Sequence, residues 1–304
     1  MTGELMHTPV LLESVLTLLD PKPGEVMLDG TANGGGHTLA LRGRVGSGGR
    51  VIAIERDSEV MEKFAERIKK EKMANVTVVA GNYADSWGIL ERCGIRRVDG
   101  ILLDLGFSSW HVDEAGRGFS FQKNEPLDMR YDRQGGGETA ADIINNRRQD
   151  ELERMIRDYG EERFARGIAQ AIVAARKHIR IMTTGMLVAA IRQGVPRRFQ
   201  QGKIHPATRT FQALRIAVND ELGCLDRFLS EVSDLLAPGG RLAIISFHSL
   251  EDRLVKNFFK QKAWEGIFEI ITRKPLTAEC GEVRRNRRAR SAKLRGGRFI
   301  RPTA

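Results

Sequence analysis

Cysteine is scarce in this chain. Three occur in 304 residues, Cys93, Cys224 and Cys280, far apart and odd in number. No C-x-x-C is present, so neither a disulfide framework nor a zinc ribbon is expected. The six histidines are His7, His37, His111, His178, His205 and His248. No two of them stand at the spacing that puts two ligands on one helix face, so no metal site is expected. No apolar run reaches the ~20 residues that a membrane span needs. Residues 1–7 lack a basic patch followed by a long apolar core. Internal repeats and long low-complexity runs are also missing. These absences lead to the expectation of a soluble, reduced, cytoplasmic protein. The 41% hydrophobic content suffices for one large or two modest cores.

Acid is short in the last stretch of the chain. From Arg273 onward there are eleven Lys/Arg (273, 274, 284, 285, 287, 288, 290, 293, 295, 298, 301) and two acids, Glu279 and Glu282. Eleven minus two accounts for nine of the ten net positive charges, so the remainder is nearly neutral. A block so concentrated is an electrostatic footprint for a polyanion. Apolar residues at 292, 294, 299 and 300 punctuate it and suit a strand.

The most informative segment is Val26-Met27-Leu28-Asp29-Gly30-Thr31-Ala32-Asn33-Gly34-Gly35-Gly36-His37. An apolar run ends in an acid, and glycines lead into a helix-compatible stretch. Such a strand, turn and helix start let a polar ligand lie against backbone. About 20 residues later, Val51-Ile52-Ala53-Ile54 ends in Glu55, where such folds hold a ribose. The dinucleotide pattern fails, because Leu39 stands where its third glycine belongs. The phosphate-loop pattern fails as well, because Gly36-His37 replaces lysine and a hydroxyl residue. S-adenosylmethionine, a nucleoside cofactor without phosphates, needs neither pattern.

Strand-like runs at 26–29, 51–55, 76–80, 98–105 and 241–247 alternate with helical patterns. One is the helix over 58–72, with Ser58 as its N-cap. Alternation of this kind implies an α/β fold, a mostly parallel sheet with helices on both faces. Ligands then sit at the carboxyl ends of the strands, where Asp29, Glu55 and Asp104 fall. Between about 113 and 205 no strand pattern appears. Helical patterns cover 149–159 and 163–177, and a third starts at Thr183 or Thr184. This segment reads as an inserted helical domain within a first part at 1–112 and a second part at 206–304. The pattern over 208–236 predicts one long helix stopped by Pro238-Gly239-Gly240. A helix over 250–262 follows the fifth strand.

Several blocks now carry a resemblance. They are His7-Thr8-Pro9-Val10-Leu11-Leu12, Gly35-Gly36-His37, Asp99-Gly100-Ile101-Leu102-Leu103-Asp104-Leu105-Gly106 and Arg117-Gly118-Phe119-Ser120-Phe121. Next come Pro126-Leu127-Asp128-Met129-Arg130, Tyr159-Gly160-Glu161-Glu162 and the run from His205-Pro206-Ala207-Thr208-Arg209 to Ile216. The last are Ser246-Phe247-His248-Ser249-Leu250-Glu251-Asp252-Arg253 and Arg290-Ser291-Ala292-Lys293-Leu294-Arg295. In these the chain resembles the bacterial 16S ribosomal RNA cytosine-N4 methyltransferases, over nearly its whole length. The resemblance implies a class I, Rossmann-like methyltransferase fold with a helical insert for substrate recognition. It implies methyl transfer from S-adenosylmethionine to the exocyclic amine of a cytidine in the decoding region, on small-subunit RNA or the assembled subunit. It assigns cofactor contacts to Gly35, Gly36, His37, Glu55, Tyr83, Asp104 and His111. The chain departs from the family at Glu55 (usually Asp), Tyr83 (Phe), Trp110-His111 (Pro-Gln), Asn33-Gly34 (Gly-Arg), Phe107 (Val) and Arg287 (Pro).

The chemistry sets its own demands. A cytosine N4 amine is a poor nucleophile and must be held in line with the methyl donor. It also needs an acceptor for its proton. Asp104, at a strand end, is the candidate acceptor, and its competing role is to hold the cofactor. Phe107 has the spacing to stack on an extruded base. Ser108, Ser109, Arg209, His248 and Ser249 are further substrate candidates. Each has a plainer role available: turn or helix capping for the serines, helix packing for Arg209 and a structural part for His248. Two other readings compete. One is a nicotinamide or flavin oxidoreductase, disfavoured by the broken fingerprint. The other is a non-catalytic ribosome-assembly factor that retains the fold.

Overall fold

The computed structural model describes residues 9–106, 110–111, 115–202 and 204–300. It divides into two compact units, 1–108 with 222–304, and 109–221. The second boundary therefore lies at Glu221 and not at 205. The helix that begins at Thr208 packs on other helices of the insert and belongs to that unit.

The first unit is built on seven strands in the order β3-β2-β1-β4-β5-β7-β6. They are β1 (Val26–Asp29), β2 (Arg50–Glu55), β3 (Val76–Ala80), β4 (Val98–Asp104), β5 (Leu236–Ser246), β6 (Phe268–Ile270) and β7 (Lys293–Phe299). The first five run parallel, and β7 lies antiparallel between β5 and β6. The central parallel strands β1, β2 and β4 are largely apolar because both faces are covered. Met27, Val51, Ala53 and Leu102 pack on one face with Val15, Leu41 and Phe64. Leu28, Ile52, Ile54 and Ile101 pack on the other with Leu90, Phe228 and Val255. This two-residue alternation is what a doubly wound sheet requires.

The helices of this unit are α1 (Leu12–Leu19), α2 (Gly36–Val45), α3 (Ser58–Lys70) and α4 (Ser86–Arg92). After the insert come α10 (Glu221–Leu235), whose first residue belongs to the insert, then α11 (Ser249–Trp264) and α12 (Cys280–Arg285). Asp57 caps α3, accepting from the Glu59 amide at 3.0 Å, so Ser58 is the first helical residue and not the cap. The single helix expected over 208–236 is two. Asp220 takes a left-handed conformation (φ 49°) that stops the helix begun at Thr208, and α10 begins at the next residue. Aspartate tolerates that conformation better than most side chains. The fifth strand starts earlier than expected, at Leu236, and absorbs Pro238-Gly239-Gly240 in an irregularity opposite Val98 and Gly100.

The insert holds α5 (Ala140–Asn146), α6 (Gln149–Gly160), α7 (Ala165–Arg176), α8 (Thr184–Gly194) and α9 (Thr208–Asn219). Thr139 and Asp142 form a reciprocal capping box at α5, and Thr183 caps α8. Ile143, Leu152, Ile156, Ile168, Ile191 and Phe211 share one core. Arg117, 1% exposed, sits inside this unit and donates to the Tyr131 carbonyl at 2.8 Å. Asn219 donates to the Met129 carbonyl at 2.8 Å. Much of the Arg117–Phe121 and Pro126–Arg130 blocks therefore serves the frame of the insert.

Candidate active site

The carboxyl ends of β1, β2 and β4 each deliver one buried acid. Asp29 accepts from the Thr38 hydroxyl at 2.6 Å and the Thr31 amide at 3.2 Å. Glu55 accepts from the Asn33 amide at 2.8 Å and the Asp57 amide at 2.9 Å. Asp104 accepts from the Gly106 amide at 3.2 Å through Oδ1. Burial pushes all three up, Asp29 to about 6 and Glu55 and Asp104 to about 7. The charge on Asp29 pushes Glu55 and Asp104 further in the same direction. No described Lys or Arg forms an ion pair with Asp29 or Glu55, and the charge of Arg288 lowers Asp104 against the larger effect of burial. A dense group of desolvated carboxyls is costly unless a cation joins it or it stays partly protonated.

The glycine turn shapes this edge. Asn33, Gly34 and Gly35 all have positive φ, at 46°, 87° and 91°. A Cβ at Gly35 would stand 2.0 Å from the ring of Phe64, so this glycine is required by packing on α3 as well as by its φ. Gly36 opens α2. His37 is buried, and its Nε2 donates to the Val10 carbonyl at 3.0 Å. That bond leaves Nδ1 as the bare nitrogen, 3.6 Å from Asp104 Oδ2. Burial lowers the His37 pKa to about 4, so the ring is neutral at neutral pH. Tyr83 lies in the short turn after β3 and meets Phe228 edge-on at 5.7 Å.

His111 belongs to the insert unit, with its ring 5.2 Å from Phe119 and 5.0 Å from Tyr131. Arg209, on α9, donates to the Glu161 carbonyl at 3.1 Å. Phe107, Ser108 and Ser109 fall outside the described residues. His248 is the N-cap of α11: its Nδ1 accepts from the Glu251 amide, while Glu251 accepts from the amides of Phe247 and His248. Its Nε2 is 3.1 Å from Glu251 Oε1 without forming a hydrogen bond, so the helix start accounts for Nδ1 alone. Ser249 is the first residue of that helix.

A profile of the MraW methylase family matches residues 4–300. The chain belongs to that family. A ribosomal RNA small subunit methyltransferase H from Heliobacterium mobile is 46% identical over 309 residues, covering 96% of this chain and 98% of the relative. A protein of the same name from Deinococcus radiodurans is 47% identical over 291 residues, covering 96% and 89%.

Two residues of this methylase's acid edge escaped sequence reasoning. Asn33 donates from its side chain to the carbonyls of Asp104 (3.3 Å) and Gly106 (3.1 Å), tying the glycine turn to the exit of β4. The Thr31 hydroxyl accepts the Asp104 amide at 2.6 Å. Their signal is the cluster of short polar side chains among glycines, from which spacing alone does not give the contacts. The basic block also divides. Lys293 and Arg295 of β7 pair with Asp252 at 3.0 and 2.7 Å, and Arg298 pairs with Glu269. Arg284, Arg285, Arg287 and Arg290 are exposed.

Proposed function

We propose that the protein transfers a methyl group from S-adenosylmethionine to the exocyclic N4 amine of a cytidine in the decoding region of small-subunit ribosomal RNA. The observation that carries this reading is the acid edge, three buried carboxyls around a glycine turn in a methylase fold. It suits a cofactor that bears a sulfonium and an ammonium, since cationic groups relieve the repulsion among Asp29, Glu55 and Asp104. Gly35 and Gly36 line the backbone approach, Glu55 takes the ribose hydroxyls and Tyr83 offers an aromatic face. His37 acts on the cofactor indirectly, by fixing the segment at Val10 and facing Asp104. For His111 the resemblance alone implies a cofactor contact. When bound, the cofactor supplies an electrophilic methyl group.

Asp104 accepts the N–H bonds of the target amine and takes the proton released as nitrogen gains its methyl. A pKa raised to about 7 suits a base that works near neutrality. Its place among the other acids favours a second role, as a cofactor ligand. Phe107, Ser108, Ser109 and Arg209 contact the substrate. His248 and Ser249 shape the pocket only through the start of α11. The insert, 109–221, is the recognition unit, and the exposed arginines at 284–290 hold phosphates. The substrate is met in the cytoplasm, and no described helix is long and apolar enough to cross a membrane.

The test is incubation with labelled S-adenosylmethionine and small ribosomal subunits, followed by mass spectrometry of the nucleosides. N4-methylcytidine at one decoding-region position is expected. Methyl on another base would overturn the target. No transfer to free RNA, precursor or subunit would favour the assembly-factor reading.

A further inference from the structure

Two motif blocks with no part in the acid edge meet in the insert. Gly160, of the Tyr-Gly-Glu-Glu block, lies so close to α9 that a Cβ there would stand 2.6 Å from the Arg209 carbonyl. Arg209 belongs to the block that starts at His205, and it donates back to Glu161. Beside this junction is a cavity of about 560 Å³, lined in part by Glu162, Arg163, Phe164, Arg198, Phe199 and Arg209. That is room enough for a small organic group.

The wall of the cavity has a particular chemistry. The Arg163 guanidinium lies 4.2 Å from the Phe199 ring centre and 4.6 Å from that of Phe164. The Arg198 guanidinium lies 4.9 Å from Phe199, and the two phenylalanine rings are 5.1 Å apart. Arginine stacked this way keeps its charge and its in-plane donors while offering a flat outer face. Glu162 is the one acid among the described lining residues, and its Oε1 accepts the Phe164 amide at 2.9 Å. Three arginines against one carboxylate leave the lining net positive. His205 also lines the cavity, stacked on Phe121 at 4.6 Å. Burial and the charge of Arg192 lower its pKa, so it adds no positive charge near neutrality.

We propose that this cavity is a nucleotide subsite, in which an unpaired base of the RNA stacks on the Arg163 and Phe199 layer while Arg198 and Arg209 hold its phosphates. Flat π faces beside fixed cations are how single strands are bound without base pairing. A protein partner would need apolar anchors, and here the aromatic rings are already covered by guanidinium groups. The site rests on the proposed function, since it places a neighbour of the target nucleotide on the insert.

The test compares wild type with Arg163→Ala/Arg198→Ala and Arg163→Lys/Arg198→Lys. The probe is a short single-stranded RNA of decoding-region sequence, titrated at several salt concentrations, with thermal melts and S-adenosylmethionine titration as controls. The alanine variant is expected to bind at least about tenfold more weakly, with a shallower salt slope, and to keep its melting point and cofactor affinity. The lysine variant should recover the slope but not the affinity, because ammonium groups do not stack. Wild-type affinity in the alanine variant overturns the subsite while leaving the methyltransferase reading intact. Full rescue by lysine overturns stacking. A loss seen with assembled subunits and not with RNA assigns the cavity to a protein and overturns the proposal. A wild type that neither binds nor methylates RNA removes the parent reading, and the subsite with it.

Discussion

The sheet edge and the insert cavity handle charge in opposite ways. At the edge, three carboxyls are buried at the ends of three strands and pushed up to about 6 and 7. In the cavity, arginines lie on phenylalanine rings and one carboxylate is tied to backbone. One region concentrates negative charge where water is excluded, which suits a compact cationic ligand. The other spreads positive charge over an open aromatic wall, which suits an extended polyanion. Desolvation makes the first sensitive to single substitutions and to pH. Solvent screening makes the second tolerant of single losses and sensitive to salt.

The contrast breaks most visibly at Asp104. Asp104→Asn keeps the shape and the Gly106 contact but cannot take a proton, and single-turnover methyl transfer is expected to slow by ~10²–10⁴. A wild-type rate would show that the acid edge has no part in chemistry. If cofactor affinity collapses too, Asp104 is a cofactor ligand first.

A smaller loss is expected at Glu55. Glu55→Ala removes the ribose acceptor and should weaken S-adenosylmethionine by about 1.5–3 kcal/mol in a calorimetric titration. It also strands the amides of Asn33 and Asp57, so Glu55→Gln, which keeps an acceptor there, separates binding from folding. Unchanged affinity in both variants would free Glu55 from the cofactor.

The pH response follows from the raised carboxyls. Between their ordinary values and their raised ones, the folded chain holds protons that the unfolded chain has released. Stability therefore falls as pH rises through this window. His37, lowered to about 4, works the other way but only below its ordinary value of 6.5. From about pH 6.5 to about pH 8 the melting temperature of the ligand-free protein should fall, and Glu55→Gln or Asp104→Asn should flatten the slope. S-adenosylmethionine affinity should rise over the same interval, as the carboxyls ionise. A flat melting profile would mean that the acids are not coupled to folding.

The smallest effect per residue belongs to the exposed tail arginines. Changing Arg284, Arg285, Arg287 and Arg290 to alanine should weaken RNA binding and flatten its salt slope by up to ~0.7 per lost contact. Cofactor affinity should not move. If this variant loses all RNA affinity, the insert cavity contributes little to RNA binding.

What was legible in the sequence divides along the same line. The first five strands and their terminal acids could be read because buried parallel strands are apolar runs with a polar stop. β6 could not: three residues, Phe268 to Ile270, carry no period. β7 was only hinted at, since its glycines and cations conceal a strand whose pairing to β5 supplies the order. The Asp220 break was hidden because both flanking helices keep an apolar period across it. At the site, Asp29, Glu55 and Asp104 stood out by position. The part of Asn33 depends on a left-handed backbone and two distant carbonyls, which spacing does not encode. His248 could be read as a pocket residue or, more plainly, as a structural one, and the capping contacts were beyond reach of the sequence. The Arg163 and Phe199 stack joins residues 36 apart and leaves no local pattern.

The placement of β7 between β5 and β6 has a bearing on how the protein is made. On the ribosome, β5 and β6 emerge before the strand that joins them. Until Lys293–Phe299 has left the exit tunnel, β5 offers an open edge of hydrogen-bonding groups and β6 has no neighbour in the sheet. The sheet then closes by insertion into a gap, so a nascent chain stalled before residue 299 keeps an unpaired edge beside an otherwise ordered half. Closure of the sheet thus waits on the emergence of β7.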